Sequence, residues 1–155
     1  MSVTTRPLKP ADRDSLEAAL RSAPFREDEV DVALELIDEA IGGSTDYRIL
    51  VADVAGDVAG YVCYGPTPMT EATYDLYWIV TAAAHRGKGV ASGLITAMEA
   101  ALREVSATGV RVETSQLEGY GSARRLYERM GYPEAARLAD FYRANDDLVV
   151  YYKKL

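Results

Sequence analysis

Apolar and polar residues recur along the chain with two periods, and the change from one to the other marks out the elements. Val3 to Arg6 reads as a short strand, and Pro10, tolerated in a first helical turn, opens a helix running to about Ser22. Val30, Ala33, Leu34, Ile37 and Ala40 hold helical spacing until Gly42 and Gly43 end a second helix. Tyr47 to Val54 and Val58 to Tyr64, joined around Gly56 and Asp57, predict a hairpin, and the run Gly65, Pro66, Thr67, Pro68 is expected to break the sheet after it. From Ala72 to Thr81 the alternation puts Ala72, Tyr74, Leu76, Trp78 and Val80 on an apolar face. Thr73, Asp75, Tyr77, Ile79 and Thr81 fall on a mixed one. Val90, Leu94, Ile95, Met98, Ala101, Leu102 and Val105 then make the stripe of a core-facing helix. Gly109 to Glu113 is a strand, and Ala123, Leu126, Tyr127 and Met130 return to helical spacing before Gly131. Ala136 to Phe141 and Leu148 to Lys153 flank the turn signal Ala144 to Asp147 and predict a closing hairpin. Its apolar run Leu148 to Tyr152 could serve as the edge of a homodimer, with the oligomeric state left open.

Composition narrows this picture. A chain of 155 residues with 48% hydrophobic content suits one core, so a single domain over residues 1–155 is expected. With no apolar run of spanning length and no export leader, the reading predicts no membrane partner and a cytoplasmic location. The lone Cys63, set among Tyr61, Val62 and Tyr64, reads as a small buried strand residue. A net charge of −7 argues against a nucleic-acid partner and favours a cationic small molecule or basic peptide. One histidine and one cysteine give no recognisable ligand set, so no metal is expected. His85 has no nucleophile elbow to serve in a hydrolase triad, and packing is its expected role.

The candidate chemistry centres on His85, Arg86, Gly87, Lys88, Gly89, Val90 and Ala91, where a strand enters a glycine loop and a helix leaves it. Free N–H groups at a helix start, glycines that admit a ligand close to the backbone, and two cations make a phosphate site. A Walker-type loop is excluded because Ala82 stands where its first glycine belongs and Gly89 where its Ser or Thr belongs. A dinucleotide fingerprint stays open as an alternative, since Gly87, Gly89 and Gly93 form a loose match and Glu113 ends the next strand. The loop's position after a hairpin in mid-chain weighs against that NAD(P) reading.

Arg86, Gly89 and Ala91 also fit, in register, the signature of Gln or Arg, two residues, Gly, one residue, then Gly or Ala. On these residues the chain resembles the GNAT superfamily of N-acetyltransferases. Leu76 to Thr81 resembles that family's fourth strand, and Ala123, Leu126, Tyr127, Gly131 and Tyr132 its second motif. The opening Arg6 to Asp12 resembles its usual start. Ala83 replaces a frequent Pro, and Tyr120 replaces the Asn that opens the second motif and contacts cofactor.

The resemblance implies a single-domain α/β (α+β) fold, with a mixed, mostly antiparallel sheet of about six to seven strands and about four helices. It implies acetyl-CoA as cofactor. The pyrophosphate would lie on Arg86, Gly87, Lys88, Gly89, Val90, Ala91 and Ser92, and the pantetheine arm along Ile79 and Thr81, with Tyr120 at the second-motif contact. An N–H near Val80 would polarise the thioester carbonyl. Tyr127 matches the family's acid for the departing thiolate, and Asp75 the base of its histone-acetylating branch, with Glu113 as second choice. The expected partner is a small-molecule or peptide amine, with Tyr74, Tyr77, Tyr120, Tyr142, Tyr151 and Tyr152 as candidate acceptor-pocket residues. A non-catalytic acyl-CoA-binding module is the alternative of a different class.

Overall fold

The structure, a computed structural model, describes residues 2–155. Its strands are β1 (Val3–Pro7), β2 (Arg48–Val54), β3 (Asp57–Pro66), β4 (Thr73–Thr81), β5 (Gly109–Ser115), β6 (Glu134–Arg143) and β7 (Asp146–Lys154). The helices are α1 (Arg13–Arg21), α2 (Glu27–Ile41), α3 (Val90–Glu104) and α4 (Gly121–Arg129). All seven strands form one sheet in the order β1-β2-β3-β4-β5-β7-β6. Every neighbouring pair is antiparallel except β4 and β5, which run parallel through the α3 crossover. This is the mixed, mostly antiparallel, four-helix fold expected.

The sheet separates two cores. On one face, α1 and α2 bury Leu16, Leu20, Val30, Ala33 and Ile37 against Val51, Tyr61, Cys63 and Val80. On the other, α3 and α4 bury Leu94, Ile95, Met98, Leu102 and Tyr127 against Ala52, Val62, Leu76, Val112 and Val149. Helix stripes of the predicted period supply both contacts. The amino-terminal motif has a structural reason. Arg6 reaches from β1 to Asp53 on β2 at 2.6 Å and to the buried Asp12 at 2.9 Å. This pairing holds the Asp12 carboxyl below its usual range.

Four expectations are corrected. β3 continues through Pro66 rather than stopping at Tyr64, because Gly65 and Pro66 pair with Asp75 and Tyr74. The closing hairpin is longer than its apolar core, with the turn confined to Ala144 and Asn145, and Asn145 takes the left-handed backbone the turn needs. β7 is not an edge: it lies between β5 and β6, with Leu148, Val149 and Tyr151 buried, so the Leu148–Tyr152 run offers no dimer edge. Finally, the alternation along β4 is broken. Cys63 pairs with Trp78 but Tyr64 pairs with Leu76, so Tyr77 is an extra residue in a β-bulge. Tyr77 and Trp78 therefore both pack towards α1 and α2, while Ile79 joins Leu76 and Tyr74 on the α3 side.

Candidate active site

The bulge coincides with a division of the sheet. β4 and β5 pair only from Thr73 to Leu76, opposite Gly109 to Val112, and beyond that point β5 continues with β7 alone. The edge of β4 from Tyr77 to Thr81 is left facing a notch. The Ala82 N–H donates to Ala59 O at 2.8 Å, so Ala82 and, two residues back, Val80 turn their main chain towards β3. The N–H and C=O groups of Ile79 and Thr81 then face the notch. This corrects the expected role of Val80: at that level the N–H open to a ligand belongs to Ile79.

The glycine loop lies at the carboxyl end of β4. Gly87 and Gly89 have φ of +76° and +79°, a region that admits glycine without strain, and Gly89 is the N-cap of α3. A Cβ would find nothing within 4 Å at Gly87 and only Ser92 Oγ, at 3.8 Å, at Gly89. The N–H groups of Val90, Ala91 and Ser92 occupy the first turn, where no intrahelical acceptor exists. Arg86, Lys88 and Gly89 are exposed, while Val90 is buried beneath them and anchors the helix start. His85 Nδ1 lies 3.3 Å from Lys88 Nζ, so the ring orients a cation of the loop. The dimensions and chemistry are those of an anion cradle.

Tyr127 lies on the α3–α4 side of the sheet, 5% exposed, with its ring against Tyr132 and Tyr151. Burial pushes its phenol well above the ordinary value, so it stays protonated through the neutral range. Its hydroxyl has no hydrogen-bond partner among the described residues, unlike those of Tyr132, bonded to Glu99, and Tyr151, bonded to Glu128.

The two candidate bases differ sharply. Asp75 is 6% exposed, and both its oxygens are engaged: Arg111 Nε donates at 2.7 Å and Arg111 Nη2 at 3.2 Å, and Thr67 Oγ1 donates at 2.8 Å. Glu113 stands two residues beyond Arg111 on the same face of β5, with its side chain 45% exposed. Its closest cation is Arg111 Nε at 3.7 Å. A carboxylate that is to accept a proton needs a lone pair turned to the substrate; Glu113 has that freedom and Asp75 does not.

The candidate acceptor tyrosines divide between the two faces. Tyr77 and Tyr152 share the face of Arg111, with Tyr152 lying over Gly109, and Tyr142 feels the charge of Glu113. Tyr74 and Tyr151 belong to the α3–α4 core and do not join them. Tyr120 is committed elsewhere: its hydroxyl donates to Glu29 Oε2 at 2.8 Å. The residues that sequence reasoning missed are Arg111, Thr67 and Glu29. Arg111 alternates with Val110 and Val112 as Glu113 does, and that was the available signal.

Comparison with known proteins agrees with this geometry. The model of the acetyltransferase (GNAT) domain matches residues 45–134. A GNAT-family protein from Desulfovibrio desulfuricans is 37% identical, with 99% of each chain covered and a TM-score of 0.92. Ard1 from Thermoplasma volcanium is 21% identical over 100% of this chain and 99% of its own, with a TM-score of 0.80. The Salmonella typhimurium protein yncA, solved with its cofactor acetyl-CoA, is 20% identical over 100% of this chain and 95% of its own, with a TM-score of 0.76. At such identities the last two likenesses are of fold. No curated protein sequence matches.

Proposed function

This chain belongs to the GNAT family of acetyltransferases, and from that premise we propose that it moves the acetyl group of acetyl-CoA directly to the primary amine of a small molecule. One observation carries the reading: the unpaired β4 edge, with an anion cradle at its carboxyl end and the free hydroxyl of Tyr127 in the core that backs it. The residues fit the cofactor. Main-chain groups of Ile79 and Thr81 suit an amide-bearing arm laid along a strand edge. The cradle from Arg86 to Ser92 suits a pyrophosphate, through backbone N–H groups and the charges of Arg86 and Lys88. When bound, acetyl-CoA supplies an acetyl group already activated as a thioester.

The chain's own residues then manage two protons. An alkyl ammonium has a pKa of about 10.4, so the acceptor must lose a proton before its nitrogen can attack carbon. Glu113, exposed and only loosely paired with Arg111 at 3.7 Å, takes that proton directly or through one water. The Ile79 N–H stabilises charge on the carbonyl oxygen. Tyr127 Oη gives its proton to the sulfur as the C–S bond breaks, and the second proton, shed by the acylated nitrogen, restores the phenol through solvent. Asp75 acts through Arg111, fixing the guanidinium beside Glu113. The acidity of the chain, with net charge −7, suits a cationic acceptor.

The test is release of free thiol from acetyl-CoA in the presence of a panel of primary amines. The wild type should release thiol with at least one small amine, and Tyr127→Phe should be slower by about 100-fold or more. Tight CoA binding without turnover on any amine would favour the non-catalytic binding module. A rise in melting temperature with NAD(P) and none with CoA would overturn the assignment.

A further inference from the structure

Arg111 and Glu113 stand together where the sheet parts. β4 and β5 pair as far as Leu76 and Val112, so on their shared face Arg111 is the last residue of β5 still opposite β4, level with Asp75, and Glu113 is the first beyond. Asp75 holds one edge of the guanidinium, through Nε at 2.7 Å and Nη2 at 3.2 Å. Nη1 has no hydrogen-bond partner among the described residues, and the side chain is 40% exposed. Elsewhere in the chain the corresponding edge is filled. Arg6 takes Asp53 on its Nε side and Asp12 through Nη1 and Nη2, and Arg13 takes Asp38 on its Nε side and Glu17 through Nη1. Tyr152, opposite Arg111 on β7, leans over Gly109, on the side of Arg111 away from Glu113, where a Cβ would meet its ring.

Resting on the acetyltransferase reading, we infer that the acceptor is a free α-amino acid, its carboxylate held on the open Nη1 edge of Arg111 and its amine at Glu113. A planar guanidinium offers a carboxylate two parallel donors, Nη1 and the outer N–H of Nη2, the arrangement Asp12 already uses on Arg6. Glu113 Oε1 lies 3.7 Å from Arg111 Nε. The nitrogen of an α-amino acid lies about 3 Å from its nearer carboxylate oxygen, so one small molecule spans both groups. An amine with no carboxylate, or with a remote one, leaves the edge unfilled. The overall acidity of the chain attracts the ammonium, and Arg111 supplies the opposite charge where the carboxylate lies. That pairing also weakens the hold of the carboxylate on its own ammonium proton, which eases proton loss to Glu113. The α-nitrogen then bonds to the acetyl carbon as the C–S bond breaks, giving an N-acetylamino acid and a free thiol, with the carboxylate unchanged.

With acetyl-CoA fixed, thiol release is measured over the primary L-α-amino acids, each paired with its carboxamide. The carboxamide keeps the side chain and has the more easily deprotonated amine, so a preference for the acid reads the carboxylate. For at least one pair kcat/KM should favour the acid by about tenfold or more, the scale of hydrogen bonds to a charged group. Arg111→Lys keeps a cation beside the buried Asp75 but cannot serve two carboxylates with one planar fork. It should raise KM for the acid, change kcat less and bring the ratio close to one. The paired comparison in the wild type needs no variant and stands even if Arg111→Lys does not fold. Simple amines accepted while no amino acid is, carboxamides used as well as acids throughout, or an acid preference that survives in folded Arg111→Lys overturns the inference. Absence of thiol release with every amine and amino acid tried overturns the acetyltransferase reading instead, and calorimetric titration of the same pairs into CoA-saturated protein still decides whether Arg111 selects a carboxylate.

Discussion

Asp75 and Glu113 show what a residue's identity reveals alone and what only its partners reveal. A single carboxylate on the mixed face of a strand was legible as a candidate base, but Arg111, which occupies it, lies on a strand paired across the sheet. No local pattern announces that pairing, because strand partners are chosen by the whole topology. The two residues should therefore separate experimentally. Glu113→Gln is expected to lower turnover and to flatten the acid limb of the pH–rate profile. Asp75→Asn is expected to keep the shape of the profile and instead to lower stability by about 1–3 kcal/mol through weakened bonds to Arg111 and Thr67. A profile altered by Asp75→Asn alone would return the base to Asp75. Cys63 is the small buried strand residue that its neighbours predict, and burial pushes its thiol up to about 12. The native protein should resist iodoacetamide at neutral pH and react once unfolded; rapid native labelling would contradict that placement.

At the scale of elements, helices were the most legible because their signal is local. The stripe from Val90 to Leu102, its start after Gly89 and its burial all follow from spacing within one segment. β4 was less legible. Its sequence reads as unbroken alternation, and only pairing with β3 reveals that Tyr77 is a bulge residue that moves Ile79 to the opposite face. That slip matters, because it coincides with the end of the β4–β5 pairing. The loop that follows was legible as an anion site but not as a particular one; the flanking motifs made the choice. Gly89→Asp combines an unfavourable left-handed backbone, at φ +79°, with a carboxylate at the cradle. CoA affinity should fall by about tenfold or more, measured by calorimetry on a variant shown to be folded. Unchanged affinity would contradict the placement of the pyrophosphate.

Across the whole molecule, two cores lie on opposite faces of one sheet that parts between β4 and β5, and the fold places the exposed carboxylate of Glu113 on one face and the buried phenol of Tyr127 on the other. The fold also concentrates tyrosines. Burial holds Tyr61, Tyr64, Tyr127 and Tyr132 above their ordinary value and pushes Tyr77 up to about 12. An unfolded tyrosine ionises near pH 10, so these groups bind protons more tightly when folded. Their contribution is fully present below about pH 10 and is lost as pH rises towards the folded values. The unfolding midpoint should hold steady up to about pH 9 and fall above about pH 10, together with late tyrosinate absorbance; an alkaline-stable midpoint would contradict the burial. The central claim, that the notch is the cofactor site, is tested most directly by amide hydrogen exchange with and without CoA. Slower exchange at Ile79 and Thr81, together with residues 87–91, is the predicted result. Protection confined to other strands, or no change at Ile79 and Thr81 under saturating CoA, would contradict it.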